Sequence, residues 1–234
     1  MPPRQLALPF VHAPSHAATD FLPADSNAGA LAWLADDARW PQRRLVLFGP
    51  AGAGKTHLLH IWAERAGARL LTGPALAGLP PPGPVTVDDA DLAPPEPLLH
   101  LLNANAEAGH PALLAARLPP ARWVVRLPDL ASRLRAAAVA EIHPPEDSLL
   151  RALLARLLSD RQLQVAAPVQ DWLLLRLPRE AAALREAVAR IDRAALASGR
   201  RVTRALAAEA LADMVDDTSE TEATAAFPAV PALL

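Results

Sequence analysis

Residues 49–56 read Gly-Pro-Ala-Gly-Ala-Gly-Lys-Thr, a complete G-x-x-x-x-G-K-T phosphate-binding loop. The apolar run Leu45-Val46-Leu47-Phe48 precedes the loop, and apolar residues at helical spacing follow it from Leu58. A strand, a loop and a helix in this order form the context in which the motif cradles phosphate. The sequence therefore predicts a nucleotide-binding domain in which ATP or ADP is bound together with Mg²⁺.

Each position of the loop has a physical reason. The three glycines let backbone N–H groups approach phosphate oxygens where a Cβ would intrude. Lys55 is expected to face the β- and γ-phosphates, and the hydroxyl of Thr56 to ligate Mg²⁺. The predicted nucleotide-binding residues of this segment are Gly49, Pro50, Ala51, Gly52, Ala53, Gly54, Lys55, Thr56 and His57.

A second acidic element follows the segment Val85-Thr86-Val87, which is β-branched and typical of a buried strand. Asp88 is predicted to hold Mg²⁺ through water, and Asp89 to polarise an attacking water molecule as a catalytic base. Glu is common at the second position in related motifs, and Asp is one methylene shorter. The alternative is a solvated Asp-Asp-Ala-Asp turn without a role in binding.

Composition narrows the class of protein. The chain has 234 residues, 52% of them hydrophobic, a net charge of −2 and no cysteine. A disulfide scaffold and a cysteine zinc site are thereby excluded, and global attraction to nucleic acid is absent. No apolar stretch is long enough to span a membrane, and the N-terminus lacks the pattern of a signal peptide. We expect a cytoplasmic protein with no membrane partner.

The pattern changes three times along the chain. Residues 1–25 are Pro-rich and predict an extended arm, and residues 26–144 alternate helical and strand-like segments. Residues 145–215 carry only helical periodicity, and residues 216–234 predict a disordered tail. The expected fold class is α/β, with a parallel sheet flanked by helices and followed by a small all-helical lid.

Local boundaries can also be predicted. Strands are expected at 44–48, 68–71, 85–87, 112–115 and 139–143. The first helix is expected over 28–38, with Asn27 or Ser26 as its cap, and Thr203 is expected to cap the last helix. Leucines from Leu149 to Leu158 recur at spacings of three and four and predict a buried stripe on the lid's first helix.

A phosphate-loop domain followed by a helical lid is the layout of the AAA+ proteins. Gly49–Leu59 reads GPAGAGKTHLL, Leu127–Leu134 reads LPDLASRL, and Ile191–Thr203 reads IDRAALASGRRVT. With these segments the chain resembles the Hda family, DnaA-related AAA+ regulators, over most of residues 5–214. The phosphate loop is generic, whereas the other two segments at this spacing are much more specific.

The resemblance implies roles for two arginines. Arg133 matches the family's arginine finger, a catalytic residue that acts on nucleotide held by a neighbouring subunit. Arg135 is the weaker candidate for the same role. Arg179 matches the lid arginine that reaches the β- and γ-phosphates, although the chain has Arg-Glu-Ala where the family often shows Arg-Ser-Phe. A solvated helix charge is the alternative for each.

One position departs from the family pattern. The segment Ala112–Ala115 is expected to end where a Ser or Thr would orient the attacking water, and Ala115 has no side chain that can donate a hydrogen bond. Arg117 follows two residues later. We therefore expect weak or absent intrinsic ATP hydrolysis.

The N-terminal arm contains Gln5-Leu6-Ala7-Leu8-Pro9-Phe10. This segment resembles the motif with which proteins bind the sliding clamp of DNA polymerase. The predicted clamp-binding residues are Gln5, Leu6, Leu8, Pro9 and Phe10. Chance occurrence is the alternative for a motif this short.

The resemblance implies a clamp-associated regulator that stimulates hydrolysis of ATP bound to DnaA and so limits initiation of chromosomal replication. Its partners would be the clamp and DnaA, with a homo-oligomer possible and no DNA-binding domain of its own. Two alternatives remain open on the sequence: a self-sufficient AAA+ ATPase that remodels or loads replication proteins, and a non-catalytic scaffold that binds nucleotide.

Overall fold

A computed structural model describes residues 16–78 and 80–214. Of the described residues, 16–146 form one compact unit and 147–214 form a second. The first unit contains a sheet and its covering helices, and the second is helical.

The sheet of the first unit is wholly parallel, with its five strands in the order β2-β3-β4-β1-β5. The strands are β1 (Arg44–Phe48), β2 (Arg69–Thr72), β3 (Val85–Asp88), β4 (Ala112–Ala116) and β5 (Ala138–Glu141). The helices are α1 (Asp25–Ala35), α2 (Lys55–Ala66), α3 (Pro95–Glu107) and α4 (Pro128–Arg135). The predicted parallel sheet flanked by helices is confirmed.

Both faces of the sheet are buried, as expected of parallel strands with helical connections. Along β1, Leu45 and Leu47 pack on one face with α1 and α2, where Trp62 is 1% exposed. Val46 packs on the opposite face with α3 and α4, beside Leu102 and Leu134. β1 is thus packed from both faces of the sheet.

Some predicted boundaries were wrong by a few residues. β4 extends to Ala116, and β5 covers 138–141 rather than 139–143. Helix α1 begins at Asp25, so Asn27 is not its cap but its third residue. The side-chain oxygen of Asn27 accepts a hydrogen bond from the N–H of Ala24 at 3.0 Å, which satisfies the helix start from inside the first turn.

The second unit contains α5 (Asp147–Asp160), α6 (Ala167–Arg176), α7 (Ala181–Ser198) and α8 (Arg204–Ala210). The leucine stripe of α5 is buried at positions 150, 153, 154, 157 and 158. Thr203 caps α8, and its side chain accepts a hydrogen bond from the N–H of Leu206, as predicted. In the part of the chain that the structure describes, no helix is long and apolar enough to cross a membrane.

Candidate nucleotide site

The phosphate-binding loop lies at the carboxyl end of β1. Gly49 is the first residue after β1, and a Cβ on it would lie 2.2 Å from the carbonyl oxygen of Ile142. Gly54 is left-handed and immediately precedes α2, which begins at Lys55. The loop therefore ends with the N–H groups of a new helix pointing toward it, an arrangement that attracts anions.

Lys55 is buried, with 8% exposure, and its amine donates hydrogen bonds to the carbonyl oxygens of Gly49 at 2.8 Å and Pro50 at 2.7 Å. The pKa of Lys55 is lowered, because the effect of burial outweighs the negative charges of Asp88 and Asp89, which act to raise it. Within residues 16–78 and 80–214, the amine of Lys55 bonds only to these two carbonyl groups. A bound phosphate would give it a charged partner that the loop itself does not supply.

Thr56 and Asp88 are brought together by the fold. The hydroxyl of Thr56 donates a hydrogen bond to a carboxylate oxygen of Asp88 at 2.6 Å, across 32 positions of sequence. A hydroxyl and a carboxylate are the oxygen donors that Mg²⁺ prefers beside nucleotide phosphates. The two residues therefore fit the metal that the motif implies, and both would hold it.

Asp89 has a left-handed backbone with φ of 49°, which is uncommon for a residue other than glycine. Its N–H donates to the carboxylate of Asp88 at 3.1 Å. Its carbonyl passes so close to Gly73 that a Cβ there would lie 2.1 Å from the oxygen. Gly73, which the sequence analysis missed, is therefore required for the turn that carries both aspartates.

The end of β4 lies beside the loop. Phe48 pairs with Ala116, so Arg117 is level with Gly49. The N–H of Arg117 is 3.4 Å from a carboxylate oxygen of Asp91, and its positive charge lowers the pKa of Lys55. Because β4 ends in Ala115 and Ala116, this strand end offers no hydroxyl to a water molecule.

The segment before α1 covers the start of α2. The ring of His57 is buried and lies 3.0 Å from the carbonyl oxygen of Ala17. Phe21 packs edge-on against His57, and a Cβ on Gly54 would lie 3.3 Å from the Phe21 ring. Phe21 is a second residue that sequence reasoning missed, because an isolated aromatic carries no motif.

Arg133 lies at the other end of the sheet. It sits in the last turn of α4, and the chain then enters β5, whose first residue Ala138 pairs with Leu45 near the start of β1. β1 spans roughly 13 Å from Arg44 to Phe48, at about 3.3 Å per residue, which is longer than an arginine side chain. The Nε of Arg133 is buried and has no hydrogen-bond partner among the described residues, whereas Arg135 is exposed.

The remaining predicted residues lie elsewhere. Arg179 belongs to the second unit, where it forms an ion pair with Asp147 at 2.6 Å. The clamp-binding residues 5–10 lie outside the described residues. Within residues 16–78 and 80–214, no group of three or more His, Asp or Glu side chains is arranged to hold a metal ion by itself.

No protein-family model matches the sequence. Among solved structures, domain III of the replication initiation protein DnaA from Thermotoga maritima has a TM-score of 0.73 and 16% identity, covering 87% of this chain and 98% of that one. AMPPCP-bound DnaA from Aquifex aeolicus has a TM-score of 0.58 and 15% identity, covering 70% of this chain and 61% of that one. A variant of RuvB from Thermotoga maritima has a TM-score of 0.63 and 16% identity, with coverages of 80% and 67%. The chain has the fold of these AAA+ domains.

Proposed function

We propose that this protein is a cytoplasmic, clamp-associated AAA+ regulator of the Hda type, which binds ATP or ADP with Mg²⁺ and stimulates hydrolysis of ATP held by DnaA. DnaA with ADP in place of ATP would be inactive, so the protein would restrain initiation of replication. Its own nucleotide would serve mainly to hold its conformation.

Nucleotide binding is supported by the loop, the buried Lys55 and the pairing of Thr56 with Asp88. The likeness in fold to an AMPPCP-bound DnaA is consistent with the same ligand class. Arg179 would add a cation from the lid, and Asp89 would act as a base if the chain hydrolyses nucleotide at all. The alanines at the end of β4 argue for slow intrinsic turnover.

The location of Arg133 carries the proposal. Its helix ends at the amino edge of the sheet, whereas the phosphate loop lies at the carboxyl edge. An arginine this far from the loop of its own subunit does not face its own nucleotide, which supports a role on a nucleotide held by a neighbouring subunit. A planar guanidinium delivered in this way can neutralise charge that spreads over the γ-phosphoryl oxygens as the bond to the leaving group breaks.

The test is phosphate release from ATP-loaded DnaA in the presence of DNA-loaded clamp. Fingers supplied in trans contribute about 10³–10⁵ in rate, so Arg133→Ala should abolish nearly all of the stimulation. Arg133→Lys should rescue poorly, because an ammonium lacks the planar fork. Arg135→Ala is the matched control, since this arginine is exposed on the same helix two residues later.

Clamp pull-down and ADP titration should give wild-type values for all three variants. If Arg133→Ala keeps most of the stimulation, the finger assignment is wrong. Turnover by the purified chain alone, at a rate matching that of the assembled system, would favour the self-sufficient ATPase. Nucleotide binding without stimulation of DnaA by the wild-type protein would favour the non-catalytic scaffold.

A further inference from the structure

Arg44, at the amino end of β1, is a buried arginine. Only 2% of the residue is exposed. Its guanidinium donates hydrogen bonds to the side-chain oxygen of Gln42 at 3.1 Å and to the carbonyl oxygen of Leu102 at 3.3 Å. Among the described residues, no carboxylate forms an ion pair with it. Burying an uncompensated charge is costly, and an apolar side chain of similar size would often serve packing at least as well.

Arg133 lies at the same edge of the sheet as this buried charge, because α4 leads into β5, whose first residue Ala138 pairs with Leu45, the residue after Arg44. Leu102, which supplies the carbonyl for Arg44, packs in one cluster with Leu134, the neighbour of Arg133 in α4. The pKa of Arg44 is lowered, first by burial and second by the positive charge of Arg133. The Nε of Arg133 is buried, and no atom in the described part of the chain accepts a hydrogen bond from it. The guanidinium charges of Arg44 and Arg133 therefore act on each other, and the carbonyl of Leu102 already accepts a hydrogen bond from Arg44.

The turn before Arg44 is unusual as well. Gln42 and Arg43 are both left-handed, with φ of 49° and 60°. Two successive non-glycine residues in this conformation are strained, and strain of this kind concentrates where a structure must hold a group in one position. Here the turn presents the side chain of Gln42 to Arg44.

We propose that Arg44 is a positioning residue for Arg133. It occupies the carbonyl of Leu102, and its positive charge opposes any further inward turn of the guanidinium of Arg133, whose Nε is already buried. Arg133 is thus kept without an internal acceptor and available to the phosphoryl oxygens of a nucleotide on the neighbouring subunit. This inference rests on the proposed function of Arg133.

The experiment compares Arg44→Met, which removes the charge and keeps the volume, with Arg44→Lys, which keeps the charge and one hydrogen bond. In the assay with ATP-loaded DnaA, Arg44→Met should lower the maximal rate by about 10–100-fold, the range expected when a catalytic group is misplaced by about 1 Å. The DnaA concentration at half-maximal rate should change little. Arg44→Lys should retain most activity, unlike Arg133→Lys.

Two further measurements separate positioning from a structural role. The urea midpoint of Arg44→Met should equal or exceed that of the wild type, because a buried unpaired charge has been replaced by an apolar group. In an Arg133→Ala background, Arg44→Met should cause no further loss. An equal loss in both backgrounds, or a loss that follows the urea midpoint, would overturn the inference.

A direct measurement is independent of DnaA. The side-chain ¹⁵Nε–¹H resonance of Arg133, assigned by its absence in Arg133→Lys, should move in Arg44→Met and its exchange with water should slow, because the guanidinium turns inward to the freed carbonyl. Arg44→Lys should leave it unchanged. If Arg133→Ala retains stimulation but this resonance responds as expected, the proposed function fails and the positioning contact stands. An unchanged resonance in Arg44→Met would refute the positioning contact itself.

Discussion

Replacing Asp88 with Asn should change nucleotide affinity in opposite directions depending on Mg²⁺. In the structure, the carboxylate accepts a hydrogen bond from Thr56 at 2.6 Å and is the largest source of negative charge acting on Lys55. With Mg²⁺ bound, this carboxylate would hold the ion or its water. Without Mg²⁺, it is only a negative charge near phosphates, and its removal relieves repulsion.

The size of each effect follows from the geometry. A hydrogen bond to a charged group contributes about 1.5–3 kcal/mol, so the Kd for MgADP should rise roughly 10–150-fold in Asp88→Asn. Without Mg²⁺, two unit charges about 4 Å apart in water interact by about 1 kcal/mol, so the Kd for free ADP should fall by up to about fivefold. The fold should be unaffected, because both Thr56 and Asp88 lie at the surface of the site.

The assay is calorimetric titration of ADP in excess Mg²⁺ and again in EDTA. Asp91→Asn is the control, because Asp91 also acts on Lys55 electrostatically but lies beyond the strand end, with a carboxylate oxygen 3.4 Å from the backbone N–H of Arg117. It should keep the wild-type ratio of the two Kd values. A wild-type ratio in Asp88→Asn as well would show that Asp88 does not serve the metal.

Three other outcomes are expected. Burial lowers the pKa of Lys55 below its ordinary value of 10.5, and a bound polyanion favours the charged amine, so ADP affinity should fall as pH rises through this lowered pKa. Titrations in buffers of different ionisation enthalpy should show that ADP binding takes up a proton in this pH range. Lys55→Ala should lose both the proton uptake and most of the affinity. Leu8→Ala combined with Phe10→Ala should weaken clamp pull-down more than a hundredfold, since each anchor contributes about 1.5–3 kcal/mol, and undiminished retention would remove the motif. Gly73→Ala should lower the urea midpoint, because the added Cβ would lie 2.1 Å from the carbonyl oxygen of Asp89. The control Gly29→Ala lies in helix α1 with nothing within 4 Å of the added Cβ, and it should raise the free energy of unfolding by roughly 0.5–1 kcal/mol.

The sequence predicted the parallel sheet, the helical second unit and the segments that meet at the loop. Motif spacing was sufficient for these, because the carboxyl ends of parallel strands share one edge, so residues that follow β1 and β3 must converge there. The cap of α1 was misplaced because Asn27 acts from the third helical position, where its side-chain oxygen accepts from the N–H of Ala24, the residue before the helix; a preceding cap would instead accept from an N–H of the first turn. Both positions have the same signature in sequence.

Gly73 and Arg44 could not be found in this way. The requirement for Gly73 comes from Asp89, 16 positions later, whose left-handed backbone brings its carbonyl against the glycine. Arg44 reads as an ordinary charge at the start of a strand, where exposure is expected. Its burial arises from α3, which covers that strand end and supplies the carbonyl of Leu102. Both features depend on contacts between elements, which local patterns do not encode.

The topology explains why the two sets of functional residues are separated. In a parallel sheet every strand ends at the same edge, so the loop after β1 and the aspartates after β3 collect at the carboxyl edge, and any helix that returns to start a strand ends at the amino edge. Arg133 lies near the end of α4, a helix of this kind, which leads into β5. Arg44 lies at the start of β1, the strand that pairs with β5. A side chain there lies at the opposite edge from its own loop, as the proposed action on a neighbouring subunit requires. If Arg133 acts on a partner as proposed, moving its segment to the position after β4, beside Gly49, should direct it to the chain's own nucleotide. Phosphate release by the isolated protein would then rise, and an unchanged rate would contradict the proposed role of this segment.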